Sequence, residues 1–275
     1  MKDSNANELP IGVFDSGVGG LTVLRALRDE LPNENLIYLG DTARLPYGTK
    51  SPASISRYAC QATQQLQQLG IKLLVVACNT ASAVALDALR EQMQPLPVIG
   101  VIEPGATAAI TARPGGTHLV LATEATVRLE AYRRAIQARD PAATVTELAC
   151  EMLVSLAEEG WSDGPVADLI LQRYLAQLDE QSARPDSVIL GCTHFPLLRG
   201  VIENAFDKDV AIVDSASTTA MVARDMLASM SLASNRQSAG SLKLLATDGA
   251  TRFARVGGQF LGHSLSSDDI AIVDL

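Results

Sequence analysis

Short, continuously apolar runs alternate with helical patterns along almost the whole chain, and that alternation leaves few folds open. Ile11-Gly12-Val13-Phe14, Leu36 to Leu39, Leu73 to Ala77, Val98 to Ile102, His118 to Ala122, Val145 to Ala149, Val188 to Gly191, Val210 to Val213 and Leu242 to Ala246 read as strands. They lack the two-residue period of a sheet with one wet face, so both faces are expected to be covered. Apolar residues at helical spacing lie between them. Leu21, Leu24, Leu27 and Leu31 precede Pro32, and a long stretch from Ala53 to Leu69 stops at Gly70. Further helical patterns run over Thr126 to Arg139, Met152 to Glu159, Pro165 to Asp179, Pro196 to Ala205, Ser217 to Met230 and Phe253 to Leu261. Strand and helix in steady alternation predict an α/β protein built on mostly parallel sheets. More than seven strands permit two sheets. Breaks near Pro104 and Asp207 divide the chain into a discontinuous first domain, residues 1–103 with 208–275, and a second domain, residues 104–207. The last dozen residues, rich in Ser and Asp, are expected to fray.

One strand ending occurs twice. Leu74-Val75-Val76-Ala77-Cys78-Asn79-Thr80 is echoed by Val188-Ile189-Leu190-Gly191-Cys192-Thr193-His194. Each is an apolar run closed by a small residue, a cysteine and two polar residues, with a helix to follow. In open parallel sheets ligands bind beyond the carboxyl ends of strands, where both thiols should lie. A helix start there favours the thiolate. A free thiol, with a pKa of about 8.5, is only about 3% ionised at pH 7, and bringing it to about 7 takes roughly 2 kcal/mol. Free cysteines are commonly buried, so a merely structural pair is the competing reading. Cys60 lies inside a helical stretch, and Cys150 ends a strand without a polar cluster after it; both read as structural. Asp15-Ser16 ends the first strand ahead of a glycine turn. A carboxylate there either caps the turn or serves as a proton relay. His194 either caps the helix that follows or meets a carboxylate from the second domain.

Other chemistries fit poorly. Gly12, Gly17, Gly19 and Gly20 have the wrong spacing for a dinucleotide-binding turn, and no phosphate-binding loop occurs. Three scattered histidines and no close cysteine pair argue against a metal site. Against 31 acidic residues stand 22 basic ones, a formal net charge of -9, so a general nucleic-acid face is not expected. Arg128, Arg133, Arg134 and Arg139 read as a solvated helix surface, with an anion-attracting rim as the alternative. Four cysteines in 275 residues make no disulfide framework. The polar start lacks a signal peptide's apolar stretch, and no run approaches the ~18 apolar residues of a membrane span. The cytoplasm is the expected compartment. Two opposed thiols without a metal suit proton transfer on both faces of a carbon acid. A cysteine hydrolase, with one thiol and one histidine base, is the chemical alternative.

Five stretches carry a resemblance. They are Phe14-Asp15-Ser16-Gly17-Val18-Gly19-Gly20-Leu21, Tyr38-Leu39-Gly40-Asp41, Leu45-Pro46-Tyr47-Gly48, Ala77-Cys78-Asn79-Thr80 and Leu190-Gly191-Cys192-Thr193-His194-Phe195-Pro196-Leu197-Leu198. In order and spacing the chain resembles the glutamate racemases, cofactor-independent bacterial enzymes that make D-glutamate for peptidoglycan, from about residue 10 to 262. The resemblance implies two α/β domains related by pseudo-twofold symmetry, with the active site at the cleft between them. It implies that Cys78 takes the proton from D-glutamate and Cys192 from L-glutamate, with Asp15 assisting the first and His194 with Glu158 the second. Only register separates Glu158 from the adjacent Glu159. It places Asp15, Ser16, Pro46, Tyr47, Gly48, Asn79, Thr80 and Thr193 around the substrate, and Thr123 and Thr126 match the family's Thr-x-Gly-Thr loop. Two departures stand out: Ala125 replaces the usual Gly of that loop, and Glu151 follows Cys150 where many members have Pro. The implied partner is glutamate, with no cofactor, metal, nucleic acid or membrane, and dimers are common in the family. The segment before Ile11 is shorter than in members activated by a muramyl-nucleotide precursor, so no such activation is expected. Racemisation of aspartate or another acidic amino acid is the alternative activity, and inhibition of DNA gyrase, known for some members, the alternative role.

Overall fold

The computed structural model describes residues 6–178 and 184–275. Among them ten strands and eleven α-helices follow in order. The first part holds β1 (Ile11–Asp15), α1 (Leu21–Glu30), β2 (Leu36–Gly40), α2 (Pro52–Gln68), β3 (Leu73–Val76), α3 (Asn79–Gln92), β4 (Val98–Gly100) and α4 (Ile102–Ala112). Next come β5 (Thr117–Ala122), α5 (Glu124–Arg128), α6 (Ala131–Gln137), β6 (Thr144–Ala149), α7 (Glu151–Glu159), α8 (Gly164–Leu175), β7 (Ser187–Gly191), α9 (Arg199–Ala205) and β8 (Ala211–Asp214). The chain then returns through α10 (Ser215–Ser229), β9 (Leu242–Ala246), α11 (Ala250–Leu261) and β10 (Ile270–Ile272).

The strands form two sheets, ordered β10-β9-β2-β1-β3-β4 and β6-β5-β7-β8, and every pairing is parallel. All residues of β1, β2, β3 and β7 are buried, which is why these strands are apolar throughout instead of alternating. The run β2-β1-β3-β4 in one sheet has the same winding as β6-β5-β7-β8 in the other. The topology thus repeats, and the two cysteines of the echoed sequence follow equivalent strands, β3 and β7. The order reverses between β1 and β3 and again between β5 and β7. At such a reversal the crossover helices diverge and leave a crevice at the carboxyl ends of the strands.

Four expectations need correction. The return to the first sheet falls after Asp214, not near Asp207, because β8 pairs with β7, Ser187 opposite Ala211. The stretch Thr126 to Arg139 is not one helix: Glu130, at φ 49°, separates α5 from α6 in a left-handed turn. Pro196 to Ala205 is split as well, into a 3-10 turn at Phe195–Leu198 and α9. The C-terminal residues do not all fray, since Ile270-Ala271-Ile272 adds a parallel edge strand and buries Ile270. The expected end of the Pro165 helix, at Asp179, lies outside the described residues.

The opposite, amino-terminal edge of the first sheet is fastened by charge. Lys72 Nζ stands 2.5 Å from Glu34 Oε2, both side chains almost wholly buried, and donates to the carbonyls of Asn7 and Leu232 at 2.6 and 2.8 Å. Glu34 Oε1 accepts from Ser234 N at 2.7 Å. Lys72→Met should therefore cost about 3–5 kcal/mol in urea unfolding, because it strands a buried carboxylate. Lys72→Met with Glu34→Gln should recover part of that loss.

Candidate active site

The carboxyl ends of β1 and β3 bring Asp15 and Cys78 together. Cys78 caps α3, its sulfur accepting from Ala81 N at 3.3 Å and standing 3.4 Å from Ser16 Oγ. Asp15 is 1% exposed. Its Oδ2 accepts from Gly17 N at 2.8 Å, while Oδ1 has no partner. Burial raises the Asp15 carboxyl above its usual range, with the charge on His194 opposing. Burial and the neighbouring Asp15 push the Cys78 thiol up to about 12, although Ser16 and Ala81 work the other way. Cys78 at rest is a protonated thiol.

The second thiol has different company. Cys192 follows β7 but does not cap an α-helix; a histidine serves it instead. His194 Nδ1 lies 3.7 Å from Cys192 Sγ, and its Nε2 lies 3.2 Å from Glu158 Oε1. Burial lowers the imidazole, but Cys192 and Glu158 outweigh it and hold His194 up at about 10. The bond to His194 pulls the Glu158 carboxyl down, against burial, with further help from Arg252. Glu158, not Glu159, is the carboxylate that meets the imidazole. The two thiols thus sit in opposite electrostatic settings: anion and burial behind Cys78, an imidazolium beside Cys192.

Both thiols line one cavity of about 40 Å³. Ser16, Pro46, Tyr47, Gly48, Asn79, Thr80, Thr123, Thr193 and His194 share its wall. Asp15, Glu158 and Thr126 stand one layer out. Thr123 Oγ1 lies 2.9 Å from Thr80 Oγ1 and 3.2 Å from Thr126 Oγ1, a hydroxyl chain that crosses between the sheets. Asn79 Nδ2 donates to Tyr132 Oη at 2.8 Å, and its buried Oδ1 has no partner. Gly19 is a necessity here, since a Cβ would overlap Thr193 Oγ1 and the His194 ring. The cavity is far smaller than the roughly 300 Å³ of an ordinary small-molecule pocket, so the halves must part to admit a ligand.

Sequence reasoning missed several contributors. Tyr47 owes its place to Asp41, whose wholly buried carboxylate accepts from Tyr47 Oη at 2.5 Å and pairs with Arg44 at 2.8 Å. Glu151, noted as a departure, lines the cavity with Val154, and its Oε1 accepts from Glu124 N at 2.5 Å. Ala125 lies in α5 with an ordinary backbone, and its N–H donates to Gly48 O at 3.2 Å, so the added methyl asks nothing of the loop. Three of the four clustered arginines are bound up in ion pairs, Arg128 with Glu124, Arg133 with Glu130 and Glu147, and Arg139 with Glu103, while Arg134 is exposed. His118 is buried against Ser187 at 2.7 Å. Among the described residues no cluster could hold a metal ion, and no helix is long and apolar enough to cross a membrane.

Comparison with known proteins adds the following. The family model described as Asp/Glu/Hydantoin racemase matches residues 19–223. A glutamate racemase from Geobacter metallireducens is 47% identical over 255 residues, 93% of each chain. The crystal structure of glutamate racemase from Francisella tularensis in complex with D-glutamate superposes with a TM-score of 0.89 at 35% identity, covering 98% of both chains. A glutamate racemase isoform from Bacillus anthracis superposes with a TM-score of 0.91 at 34% identity and the same coverage.

The thiol environments set a labelling order. With iodoacetamide at pH 7 the half-buried Cys60 should react before Cys78, whose thiol is pushed up to about 12 by burial and by Asp15. Since a raised pKa means the thiolate fraction climbs until pH approaches it, Cys78 labelling should rise about tenfold per pH unit from 7 to 11 without a plateau. Peptide mass spectrometry reads both.

Proposed function

The chain belongs to the glutamate racemase family, and on that premise we propose that Cys192 is its base toward L-glutamate and Cys78 its base toward D-glutamate. The reaction is the cofactor-independent interconversion of the two enantiomers, an isomerisation that supplies D-glutamate for peptidoglycan. One observation carries the two-base reading: two thiols that follow equivalent strands of two sheets line a single cavity.

In the L-to-D direction Cys192, with His194 Nδ1 3.7 Å from its sulfur, removes the α-proton. A carbanion forms at the α-carbon. Cys78, kept protonated by burial and by Asp15, delivers its proton to the opposite face. The enzyme is left with a Cys78 thiolate and a Cys192 thiol, the form that acts on D-glutamate. Hydrogen-bond donors aimed at the substrate carboxylate spread the carbanion's charge. Asn79, Thr80, Thr123 and Thr193 face the cavity and supply them, with Thr126 holding Thr123. Ser16, Pro46, Tyr47 and Gly48 close the wall on the first-sheet side, where Asp15 keeps Gly17 in place. The same reading places the protein in the cytoplasm, with glutamate as its small-molecule partner. Inhibition of gyrase has no observation in its favour among the described residues and forms no part of it.

Solvent exchange tests the roles. In D2O the wild type should exchange the α-proton of both enantiomers and lose optical activity without added cofactor. Cys78→Ser and Cys192→Ser should each lower racemisation by roughly 10²–10⁴-fold. Cys78→Ser should still exchange L-glutamate and Cys192→Ser D-glutamate, each with retention; loss of all exchange in both well-folded variants would refute the assignment. Aspartate, one methylene shorter, should be a poorer substrate by about 1–3 kcal/mol in kcat/KM.

A further inference from the structure

We propose that Arg252 is a positioning residue that completes the Cys192 relay from the opposite half of the molecule, so that closure of the cleft arms one base and not the other. Arg252 lies in the first turn of α11, whose flanking strands β9 and β10 belong to the first sheet. Glu158 lies in α7, between strands of the second sheet. Arg252 Nη2 donates to Glu158 Oε2 at 2.8 Å, while Glu158 Oε1 meets His194 Nε2 at 3.2 Å. Each carboxylate oxygen therefore has one partner, and the order Arg252, Glu158, His194, Cys192 is unbroken.

Two features make this more than a surface ion pair. The Glu158 side chain is only 16% exposed, whereas that of Arg252 is 56% exposed. An exposed pair adds little to stability, so the contact matters for where it holds the carboxylate. With Arg252 in place Glu158 cannot turn its Oε1 away from the imidazole without giving up a charge-assisted bond. The same helix reaches the relay a second time, since Phe260 meets the His194 ring edge-on at 5.1 Å between centroids. One helix of the first half thus orients two members of a relay that belongs to the second half.

Among the described residues nothing equivalent serves Cys78. Its named neighbours Asp15, Ser16 and Ala81 all come from the first half, on the same side of the cleft as the thiol. When the halves part to admit substrate, that set travels intact, while Glu158 leaves Arg252 behind. The proposal rests on Cys192 being a proton-transfer base, and it needs no assumption about which enantiomer Cys192 serves.

Thermodynamics dictates the form of the test. The two enantiomers are equal in free energy, so kcat/KM must be the same in both directions for every variant. A defect at one base lowers both values together and shows itself in which proton transfer limits the rate. Arg252→Ala should lower kcat/KM on the order of tenfold in both directions, the size of one charge-assisted hydrogen bond acting through a second group. Primary isotope effects on kcat/KM with α-deuterated L- and D-glutamate should then diverge. The effect should rise for the enantiomer whose proton Cys192 removes and fall for the other. Arg252→Lys, which keeps the charge without the fork, should be intermediate. Guanidinium added at millimolar concentration should restore part of the Arg252→Ala activity, because Arg252 and Glu158 both line an open cleft of about 360 Å³.

The enantiomer that Cys78→Ser still exchanges identifies the face Cys192 works on, independently of Arg252. The proposal stands if the isotope effect rises on that enantiomer. It is overturned if the effect rises on the other one, if both effects keep their wild-type values while the rate drops, or if the rate does not drop. In those cases the two-thiol reading still stands or falls on the serine variants alone.

Discussion

Everything at this site depends on two parallel strands that release the chain at a cysteine in front of the same cavity. A parallel sheet has a definite polarity: all its carboxyl ends point one way, and loops can crowd there without competing for ladder hydrogen bonds. Here two such edges face each other. The reversal of strand order between β1 and β3 sets Asp15 beside Cys78, and the reversal between β5 and β7 sets Thr123 across from Thr193 and Cys192. The buried ion pair of Lys72 and Glu34 fastens the far edge of the first sheet.

Repetition of the fold does not extend to the chemistry around the thiols. A racemase must hold one thiol as an acid while the other is a base, and identical surroundings would leave that choice open. Cys78 is buried next to a carboxylate, which disfavours a second negative charge. Cys192 stands by an imidazole that Cys192 itself and Glu158 hold up at about 10. The difference comes from local substitutions in the echo. Where Asn79-Thr80 begins α3, Thr193-His194 forms a turn ahead of the 3-10 segment at Phe195–Leu198, and the imidazole lies beside the sulfur two residues earlier. Each thiol needs help from a different direction, and the two helping sets differ in whether they cross the cleft.

The strands were legible because burial on both faces leaves a continuous apolar signature, and the two cysteines because their context is repeated along the chain. The glycine turn was legible only as a turn; that Gly19 lies against Thr193 and His194 is a fact of two distant segments meeting. Contacts across the cleft had no local sign. Tyr132 looks like any core aromatic, yet its hydroxyl holds Asn79 from 53 positions away. Arg252 is one arginine among many on amphipathic helices. The boundary at Asp207 missed because β8 is a short, half-covered strand, and composition does not tell which of two sheets such an edge joins. The helix expected through Glu130 broke because a left-handed residue there lets α6 swing Tyr132 inward, a tertiary requirement that outranks helix propensity.

The two departures from the family pattern answer each other. A carboxylate at position 151 places an extra negative charge against a cavity meant for a doubly carboxylated substrate, which by itself would oppose binding. It is not left free. Its Oε1 takes the Glu124 N–H at the start of α5, and the next N–H, of Ala125, is taken by Gly48 O. Two successive donors of one short turn are thus committed to groups from opposite sides of the cleft. A proline at position 151 has no side-chain acceptor to offer Glu124, so the turn bearing Thr123 and Thr126 would be held from one side only. Ala125 belongs to the same arrangement, because a residue with a Cβ restricts the backbone more than glycine does. Glu151 and Ala125 both stiffen the threonine turn, and the extra charge sits within reach of a backbone donor that offsets it.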